Sequence, residues 1–119
     1  MRISSSTDAL ARFGHALSDP TRTRVLLALR EGPAYPADLA ELAGVTRQAM
    51  SNHLACLRGC GLVVAVPEGR RSRYELADAR IGHALGDLIA LALVVDPNCR
   101  GGARDAERRV TAAEELVST

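Results

Sequence analysis

The pattern of hydrophobic and polar positions predicts four short helices in the first half of the chain. Apolar residues recur there at intervals of three and four, which places them on one face of a helix. Two helix starts are marked by capping residues, Asp19 before Pro20 and Thr46 before the fourth helix. Gly44 ends the third helix, because glycine readily adopts the left-handed turn that follows many helices. The predicted helices are 8–17, 20 to about 32, 36–43 and 47 to about 60.

After Gly61 the period changes from helical to extended, which predicts a pair of strands. Residues 62–66 form the first predicted strand, 67–70 the turn and 71–76 the returning strand. A β-hairpin that follows two helices joined by a short, glycine-containing turn is typical of a winged helix-turn-helix. The predicted fold class is therefore mostly α with a β-hairpin (α+β), in a winged helix-turn-helix arrangement.

Residues 81–95 form a last predicted helix that is apolar on nearly every side. In so small a chain this helix has to be covered, and the first helix together with a second subunit is the expected cover. Asp96-Pro97-Asn98 ends the helix, and polar residues predominate after it. We therefore predict a homodimer, with a winged helix-turn-helix DNA-binding and dimerisation domain at 1–95 and a flexible tail at 96–119 that carries Cys99.

The fourth helix has the composition of a DNA-recognition helix. Met50, Leu54 and Leu57 form one stripe that faces the core when successive residues are placed about 100° apart. The opposite arc contains Arg47, Gln48, Ser51, Asn52, Ala55 and Arg58. In a major groove Gln and Asn can pair with adenine, and Arg can pair with guanine. A solvated helix face is the alternative for this arc. The predicted DNA-reading residues are Thr46, Arg47, Gln48, Ser51, Asn52 and His53.

Three arginines, Arg70, Arg71 and Arg73, lie in the predicted wing. Arginine binds phosphate without sequence preference, so these residues are expected to position the protein on the duplex rather than to specify bases. For any one of them, mere solubility of the hairpin is the alternative role. A dimer that presents two such helices is expected to bind double-stranded operator DNA containing an inverted repeat.

Charge is distributed unevenly along the chain. The 15 basic residues are all arginine and face 14 acidic residues, for a net charge of +1 over 119 residues. Residues 1–80 hold eleven of the arginines against eight acids, whereas 81–119 hold four against six. The first two-thirds of the chain is therefore the expected nucleic-acid face.

Several classes of function are excluded by what the chain lacks. No apolar run approaches the ~20 residues that span a bilayer, and the N-terminus has no secretory h-region, so we expect a cytoplasmic protein without a membrane partner. A catalytic cysteine would need an adjacent base and a pocket, and His53 is the only base nearby. Neither an enzyme nor a small-molecule substrate is expected.

Three cysteines carry the remaining chemical signal. Cys56 and Cys60 are one helical turn apart, on a flank between the core stripe and the DNA-reading arc. Two thiolates there can hold one soft ion, and Cys99 is the thiol left to complete the site. Soft thiolates select Zn(II), Cd(II), Pb(II), Hg(II) or As(III) over hard ions. Three thiolates without an obvious fourth ligand favour Cd(II) or Pb(II) as effector, and Zn(II), which prefers a closed set of four ligands, is expected to bind more weakly. The sequence does not rank Cd(II), Pb(II), Hg(II) and As(III) among themselves.

Two alternatives to a metal site stay open at this point. Free cysteines are common as small, buried hydrophobic residues. The same cysteines also suit a thiol-redox-sensing repressor, in which Cys56 or Cys60 is oxidised and pairs with Cys99. A disulfide between Cys56 and Cys60 themselves is unfavourable, because bridging them would distort the helix.

Several stretches of the chain together resemble the ArsR/SmtB family of metal-sensing repressors. They are Asp19-Pro20-Thr21-Arg22, the run Met50-Ser51-Asn52-His53-Leu54-Ala55-Cys56-Leu57, and Gly61-Leu62-Val63 followed by Glu68-Gly69-Arg70. Each is weak alone, but the combination is specific, and the resemblance covers about residues 8–95. It implies a homodimeric winged helix-turn-helix that represses its operon until metal binds. Cys56, Cys60 and Cys99 match the branch of the family that senses cadmium and lead, which implies that these three residues are the ligands.

Other metal sites of this family are absent from the sequence. The Cys-x-Cys of its arsenic and cadmium sensors falls on Tyr35 and Ala37, and the Asp-x-His of its zinc sensors falls on Asp78-Ala79-Arg80. His83 stands alone on the apolar helix and is expected to pack or to contact the second subunit rather than to bind metal.

Overall fold

The computed structural model describes residues 3–92 and residue 94, which form five helices and one two-stranded antiparallel sheet. The chain groups into two compact units, the first ending at Gly82 and the second beginning at His83, within the last helix. The elements are α1 (Ile3–Leu17), α2 (Pro20–Glu31), α3 (Pro36–Ala43), α4 (Arg47–Gly59), β1 (Val63–Glu68), β2 (Arg71–Leu76) and α5 (Ala79–Ala92). The predicted mostly α fold with a β-hairpin is confirmed.

Side-chain caps fix the starts of α2 and α4 where the sequence predicted them. The carboxylate of Asp19 accepts a hydrogen bond from the backbone N–H of Arg22 at 3.0 Å. Thr46 Oγ1 accepts one from the backbone N–H of Ala49, also at 3.0 Å. Each bond satisfies an N–H group that the first turn of a helix leaves without an internal partner. The two helices that matter most for the predicted site therefore have defined N-termini.

The end of α3 was predicted correctly and the start of α1 was not. Gly44 follows α3 with φ 69°, in the left-handed region, and its N–H bonds back into the last turn. α1 begins at Ile3 rather than at Asp8. Residues 4–7 are all serine or threonine, so they carry no hydrophobic period from which a helix could be predicted.

The apolar stripe of α4 belongs to the core of the first unit. Met50, Leu54 and Leu57 are each at most 1% exposed, which confirms the predicted phase of this helix. The other fully buried large side chains are Val25, Leu26 and Leu39. Replacing a buried leucine with alanine typically costs about 2–5 kcal/mol. The core thus holds α4 firmly from one side and leaves its other side available.

The wing is an antiparallel hairpin with a two-residue loop. Its strands pair from Val63 opposite Leu76 to Glu68 opposite Arg71. The loop starts at Gly69, whose φ of 65° glycine adopts without steric cost. The first strand is therefore longer than the predicted 62–66, and the turn is shorter than the predicted 67–70.

A third segment pairs with the far side of β2. Ala34 and Tyr74 exchange two backbone hydrogen bonds, of 2.9 and 2.8 Å. Because Tyr74 directs both of its backbone groups to Ala34, it forms no backbone hydrogen bonds with Ala65, its partner in β1. Hydrogen-bonded and non-hydrogen-bonded pairs alternate along an antiparallel ladder, so the pair Pro67–Ser72, two positions further on, is also not hydrogen-bonded. Proline therefore costs the ladder no bond here, which is why β1 continues through a residue that predicted a turn.

α5 runs over Ala79–Ala92, against the predicted 81–95. Within the second unit Leu85 is buried, whereas Leu88 and Leu91 are exposed. The predicted domain boundary after residue 95 and the tail 96–119 lie outside the described residues. Among the helices that the structure describes, none is long and apolar enough to cross a membrane.

Candidate nucleic-acid interface and thiol pair

α4 presents its predicted polar arc to solvent. The side chains on this arc are all exposed: Arg47, Gln48, Ser51, Asn52, Ala55 and Arg58. The cap residue Thr46 is exposed as well. The helix therefore offers donors, acceptors and positive charge on the side opposite its buried stripe, which is the arrangement that a base-reading helix requires.

Two amide side chains on this arc are bonded to each other. Gln48 Nε2 donates a hydrogen bond to Asn52 Oδ1 at 3.2 Å, one helical turn apart. The bond restricts the rotamers of both residues and leaves the carbonyl of Gln48 and the amino group of Asn52 without a partner in the other amide. An acceptor and a donor side by side match the edge that adenine presents in the major groove.

His53 lies at the border of the arc and contacts the start of α2. Its Nδ1 is 3.6 Å from Oδ2 of Asp19, and the two side chains are 23% and 32% exposed. The same carboxylate oxygen caps α2. Asp19 thus links the scaffold helix α2 to the recognition helix, a second role that its position as an N-cap did not predict.

The three wing arginines have different surroundings. Arg70 is exposed in the loop. Arg73 is half-buried, and its guanidinium lies 3.3 Å from Glu68 and 3.8 Å from Glu75. Arg71 is exposed, and its guanidinium carbon lies 3.4 Å from the centre of the Tyr35 ring. The charge of Arg73 is therefore already partly balanced within the wing.

Tyr35 joins this cluster from the residue before α3. Its hydroxyl donates a hydrogen bond of 2.6 Å to Oε1 of Glu68. That bond, burial and the charge of Glu68 raise the pKa of Tyr35 above its ordinary value, against a smaller lowering by Arg71. The phenol therefore keeps its proton and remains a donor at neutral pH.

The thiol pair occupies the C-terminal end of α4. Cys60 is the C-cap residue, and its backbone N–H donates to the carbonyl of Cys56 at 3.0 Å. Both side chains are half-buried free thiols. Burial raises the pKa of Cys60, and the charge and hydrogen bonding of Cys56 add to the shift, whereas the charges of Arg12 and Arg22 lower it.

These surroundings suit a soft cation. Two neighbouring thiols resist deprotonation together, because the first thiolate repels the second. A bound soft cation removes that repulsion, so the pair is better suited to share an ion than to exist as two free thiolates.

The third predicted ligand, Cys99, lies outside the described residues, so its participation stays a prediction. Within residues 3–92 and residue 94, no three His, Cys, Asp or Glu side chains cluster in a way that could hold a metal ion. Cys56 and Cys60 therefore need at least one ligand from elsewhere, such as the tail, a second subunit or solvent.

Sequence reasoning missed the neighbours of the predicted residues. It treated Tyr35 only as the position where other sensors carry cysteine, and it assigned no role to Glu68, Arg12 or Arg22. A signal for Tyr35 was present, since tyrosine immediately before Pro36 occupies an N-cap position that favours Ser, Thr, Asp or Asn. The arginines near the thiols come from α1 and α2, and no local pattern indicates that proximity.

Comparison with known proteins identifies the family. Residues 19–64 match the bacterial regulatory protein arsR family. The transcriptional regulator CmtR of Mycobacterium tuberculosis is 59% identical over 88 residues, which cover 74% of this chain and 75% of that protein. The chain belongs to the ArsR family. It is accordingly a transcriptional regulator with a winged helix-turn-helix and not an enzyme, as the sequence predicted.

Solved structures of ArsR-type proteins share the fold. The NMR structure of the cadmium metal sensor CMTR from M. tuberculosis superimposes with a TM-score of 0.63 at 55% identity, covering 78% of this chain and 97% of that one. A homodimeric winged helix-turn-helix DNA-binding domain from Mycobacterium bovis gives a TM-score of 0.71 at 28% identity, covering 75% and 82%.

Proposed function

We propose that this ArsR-family regulator is a homodimeric repressor whose affinity for operator DNA falls when Cd(II) or Pb(II) binds Cys56, Cys60 and Cys99. The observation that carries the proposal is the pair of half-buried thiols at the end of the recognition helix α4. The cadmium-sensing CMTR is similar to this chain over most of its length. A metal site on the helix that contacts DNA couples the two binding events through one rigid element.

DNA recognition is assigned to two elements. On α4, Gln48, Ser51 and Asn52 are proposed to contact base edges, with Thr46, Arg47 and His53 at the border of the groove. In the wing, Arg70, Arg71 and Arg73 are proposed to contact phosphates. The exposure of the α4 arc and of Arg70 and Arg71 supports this assignment, and the ion pairs of Arg73 make it the weakest of the phosphate contacts.

The dimer is proposed to form through α1 and α5. Leu10 on α1 is 73% exposed and Leu91 on α5 is 64% exposed, which is unfavourable for an isolated chain and is relieved in an interface. The similar M. bovis domain is homodimeric. Two copies of α4 related by a twofold axis would require an operator with an inverted repeat.

The dimer has a matched test. Leu91→Glu is expected to produce monomers in sedimentation at micromolar concentration, because a charge in an apolar interface lacks a partner. Leu42→Glu is the control, since Leu42 is exposed to the same extent, 63%, on a helix that we do not place in the interface. Monomeric wild-type protein would contradict the proposed assembly.

The proposed metal preference follows from the donor atoms. Thiolates favour soft ions, and three of them without a fourth leave a coordination that Pb(II) accepts and that Cd(II) can complete with an oxygen ligand. Zn(II) is expected to bind, but less tightly. The residues of this chain supply the ligands, the charges of Arg12 and Arg22 that favour thiolate, and the rigid helix that carries them.

The test is an operator-binding titration with and without Cd(II). An operator is selected from a random-sequence duplex library with the metal-free protein, and its affinity is measured by fluorescence anisotropy, with Mg(II) as the control ion. Cd(II) is expected to lower the operator affinity of the wild-type protein. The operator affinities of Cys56→Ser and Cys60→Ser should be the same with and without Cd(II). Cys99→Ser should keep part of the response. If Cd(II) still weakens operator binding by Cys56→Ser as it does for wild type, Cys56 is not a metal ligand and the thiols serve only in packing.

The same proteins distinguish a redox sensor from a metal sensor. Under reducing conditions a metal sensor still responds to Cd(II) and shows sulfur-to-metal absorption in the ultraviolet. A redox sensor responds instead to oxidant, and mass analysis then shows a disulfide to Cys99. The raised pKa of Cys60 does not favour either sensor, because thiol oxidation and metal binding both proceed through the thiolate.

A further inference from the structure

Tyr35 occupies an N-cap position but does not act as a cap. Its backbone is extended at φ −98° and ψ 151°, as N-caps are, yet its side chain forms no hydrogen bond to the first turn of α3. Tyrosine has no short acceptor for that purpose, so α3 begins without the stabilisation that Ser, Thr, Asp or Asn would give. The side chain extends to the wing instead, where it contacts Glu68 and Arg71.

Glu68 and Arg71 are direct cross-strand partners at the tip of the wing. Opposite charges in such a position normally pair. Here Glu68 accepts from the Tyr35 hydroxyl with Oε1 and contacts Arg73 with Oε2. Between Glu68 and Arg71 there is no ion pair in the described part of the chain, although the backbone brings the two residues together.

Stacking gives Arg71 a fixed place without a competing anion. The guanidinium carbon of Arg71 lies over the Tyr35 ring, 3.4 Å from its centre, a distance that suits stacking of the two planes. The N–H donors of a guanidinium lie in its own plane. A phosphate binds through those in-plane donors, so the stacked group can still receive one. The hydroxyl bond to Glu68 also makes the ring more electron-rich, which strengthens its attraction for the cation.

The backbone holds the two parts of this cluster together. The two hydrogen bonds between Ala34 and Tyr74 attach the residue just before Tyr35 to β2. The position of Tyr35 relative to the wing is therefore set by the sheet rather than by side-chain contacts alone. The cluster is a built connection between the helix-turn-helix and the wing.

We infer that Tyr35 is a positioning residue for DNA binding: it engages Glu68 and stacks Arg71, so that the Arg71 guanidinium stays available to a DNA phosphate. This role rests on the proposed DNA-binding function. It assigns Tyr35 and Glu68 to the wing's phosphate contact, although neither touches DNA itself.

The test is a pair of double-mutant cycles on DNA affinity. The probe is a random-sequence duplex of a few helical turns at low salt, because phosphate contacts do not depend on sequence. Tyr35→Phe keeps the ring but releases Glu68, which can then pair with Arg71. The affinity for the duplex is expected to fall by up to about fivefold. This is the largest loss expected if an exposed ion pair with Glu68 competes with the phosphate for Arg71. Tyr74→Phe is the control, since it removes a hydroxyl from the same hairpin.

The backgrounds separate positioning from a structural role. In Glu68→Gln, and again in Arg71→Ala, Tyr35→Phe should have no further effect on affinity. The salt dependence of Tyr35→Phe should also shift toward that of Arg71→Ala, which loses about one phosphate contact. Thermal unfolding of Tyr35→Phe should match that of Tyr74→Phe.

Two outcomes would overturn this role. Additive losses in the Arg71→Ala background would mean that Tyr35 acts on DNA binding by some route other than Arg71. Equal affinity of Tyr35→Phe and wild type would mean that Glu68 does not compete for Arg71. If the wild-type protein does not bind the duplex at all, the proposed DNA-binding function fails, and the role of Tyr35 fails with it.

Discussion

Asp19 takes part in two interactions, the N-cap of α2 and the contact with His53 of the recognition helix α4. Substitutions of Asp19 can measure how much each of them contributes to stability. One oxygen of its carboxylate, Oδ2, accepts the backbone N–H of Arg22 at 3.0 Å and lies 3.6 Å from Nδ1 of His53. Asp19→Ala removes both interactions, whereas Asp19→Asn keeps an acceptor for the cap and loses the negative charge. Asparagine and aspartate cap helices about equally well.

The expected magnitudes follow from the two interactions. Loss of an N-cap typically costs ~1 kcal/mol. The contact with His53 is an ion pair only when the imidazole is protonated, and between partly exposed side chains it contributes at most about 1 kcal/mol. The two interactions share an oxygen atom, so their contributions do not simply add. We expect Asp19→Ala to lower the free energy of unfolding by about 1–2 kcal/mol, and Asp19→Asn by less than about 1 kcal/mol.

Urea unfolding at one fixed protein concentration measures both variants, since dissociation of a dimer would otherwise contribute. Glu41→Ala is the control, because Glu41 is an exposed carboxylate on α3 that forms no ion pair within the described residues, and its loss should change stability by at most about 0.5 kcal/mol. If Asp19→Asn costs as much as Asp19→Ala, the charge rather than the cap is responsible. If Asp19→Ala matches Glu41→Ala, neither interaction contributes.

Three further predictions concern base recognition, metal choice and pH. Gln48→Ala should weaken binding to the selected operator by about 1–3 kcal/mol and to random DNA by less; an intact operator affinity would refute the assignment of this arc to bases. Metal-competition titrations, monitored by sulfur-to-metal absorption in the ultraviolet, should give higher affinities for Cd(II) and Pb(II) than for Zn(II). Tighter binding of Zn(II) than of Cd(II) would contradict a site made of three thiolates. Hydrogen bonds from the side chain and backbone of Arg80 hold the pKa of Asp78 at about 2, below its ordinary 3.8. Because this folded-state pKa is depressed, its stabilisation is present above about pH 4 and is lost as pH falls toward 2, and in Asp78→Asn this part of the acid sensitivity should disappear.

Much of the fold was predictable because its elements carry local signals. Caps at Asp19 and Thr46 and the left-handed Gly44 fixed helix ends, and the spacing of Met50, Leu54 and Leu57 fixed the phase of α4. Errors occurred where local signals were weak or misleading. α1 extends into polar residues without a hydrophobic period, and β1 continues through Pro67 because that edge position needs no N–H.

The chemistry was predictable in its residue types but not in its surroundings. Spacing alone placed Cys56 and Cys60 on one flank of a helix. It could not indicate that Arg12 and Arg22, from two other helices, act on the thiol of Cys60. In the same way, the contact of Tyr35 with the wing depends on a bridge between Ala34 and Tyr74, which are far apart in sequence. Contacts of this kind depend on tertiary packing, which local periodicity does not encode.

The most direct test of the central claim is the Cd(II) affinity of the protein with and without operator DNA. If thiolates on the recognition helix couple metal to DNA, the coupling must be reciprocal, so saturating operator should weaken Cd(II) binding by the same factor by which Cd(II) weakens operator binding, about 5- to 150-fold. Cd(II) binding is monitored by the sulfur-to-metal absorption band, and Cys56→Ser shows the signal expected when the site is lost. Equal Cd(II) affinity in the free and operator-bound protein would contradict the account, because metal and DNA would then bind independently.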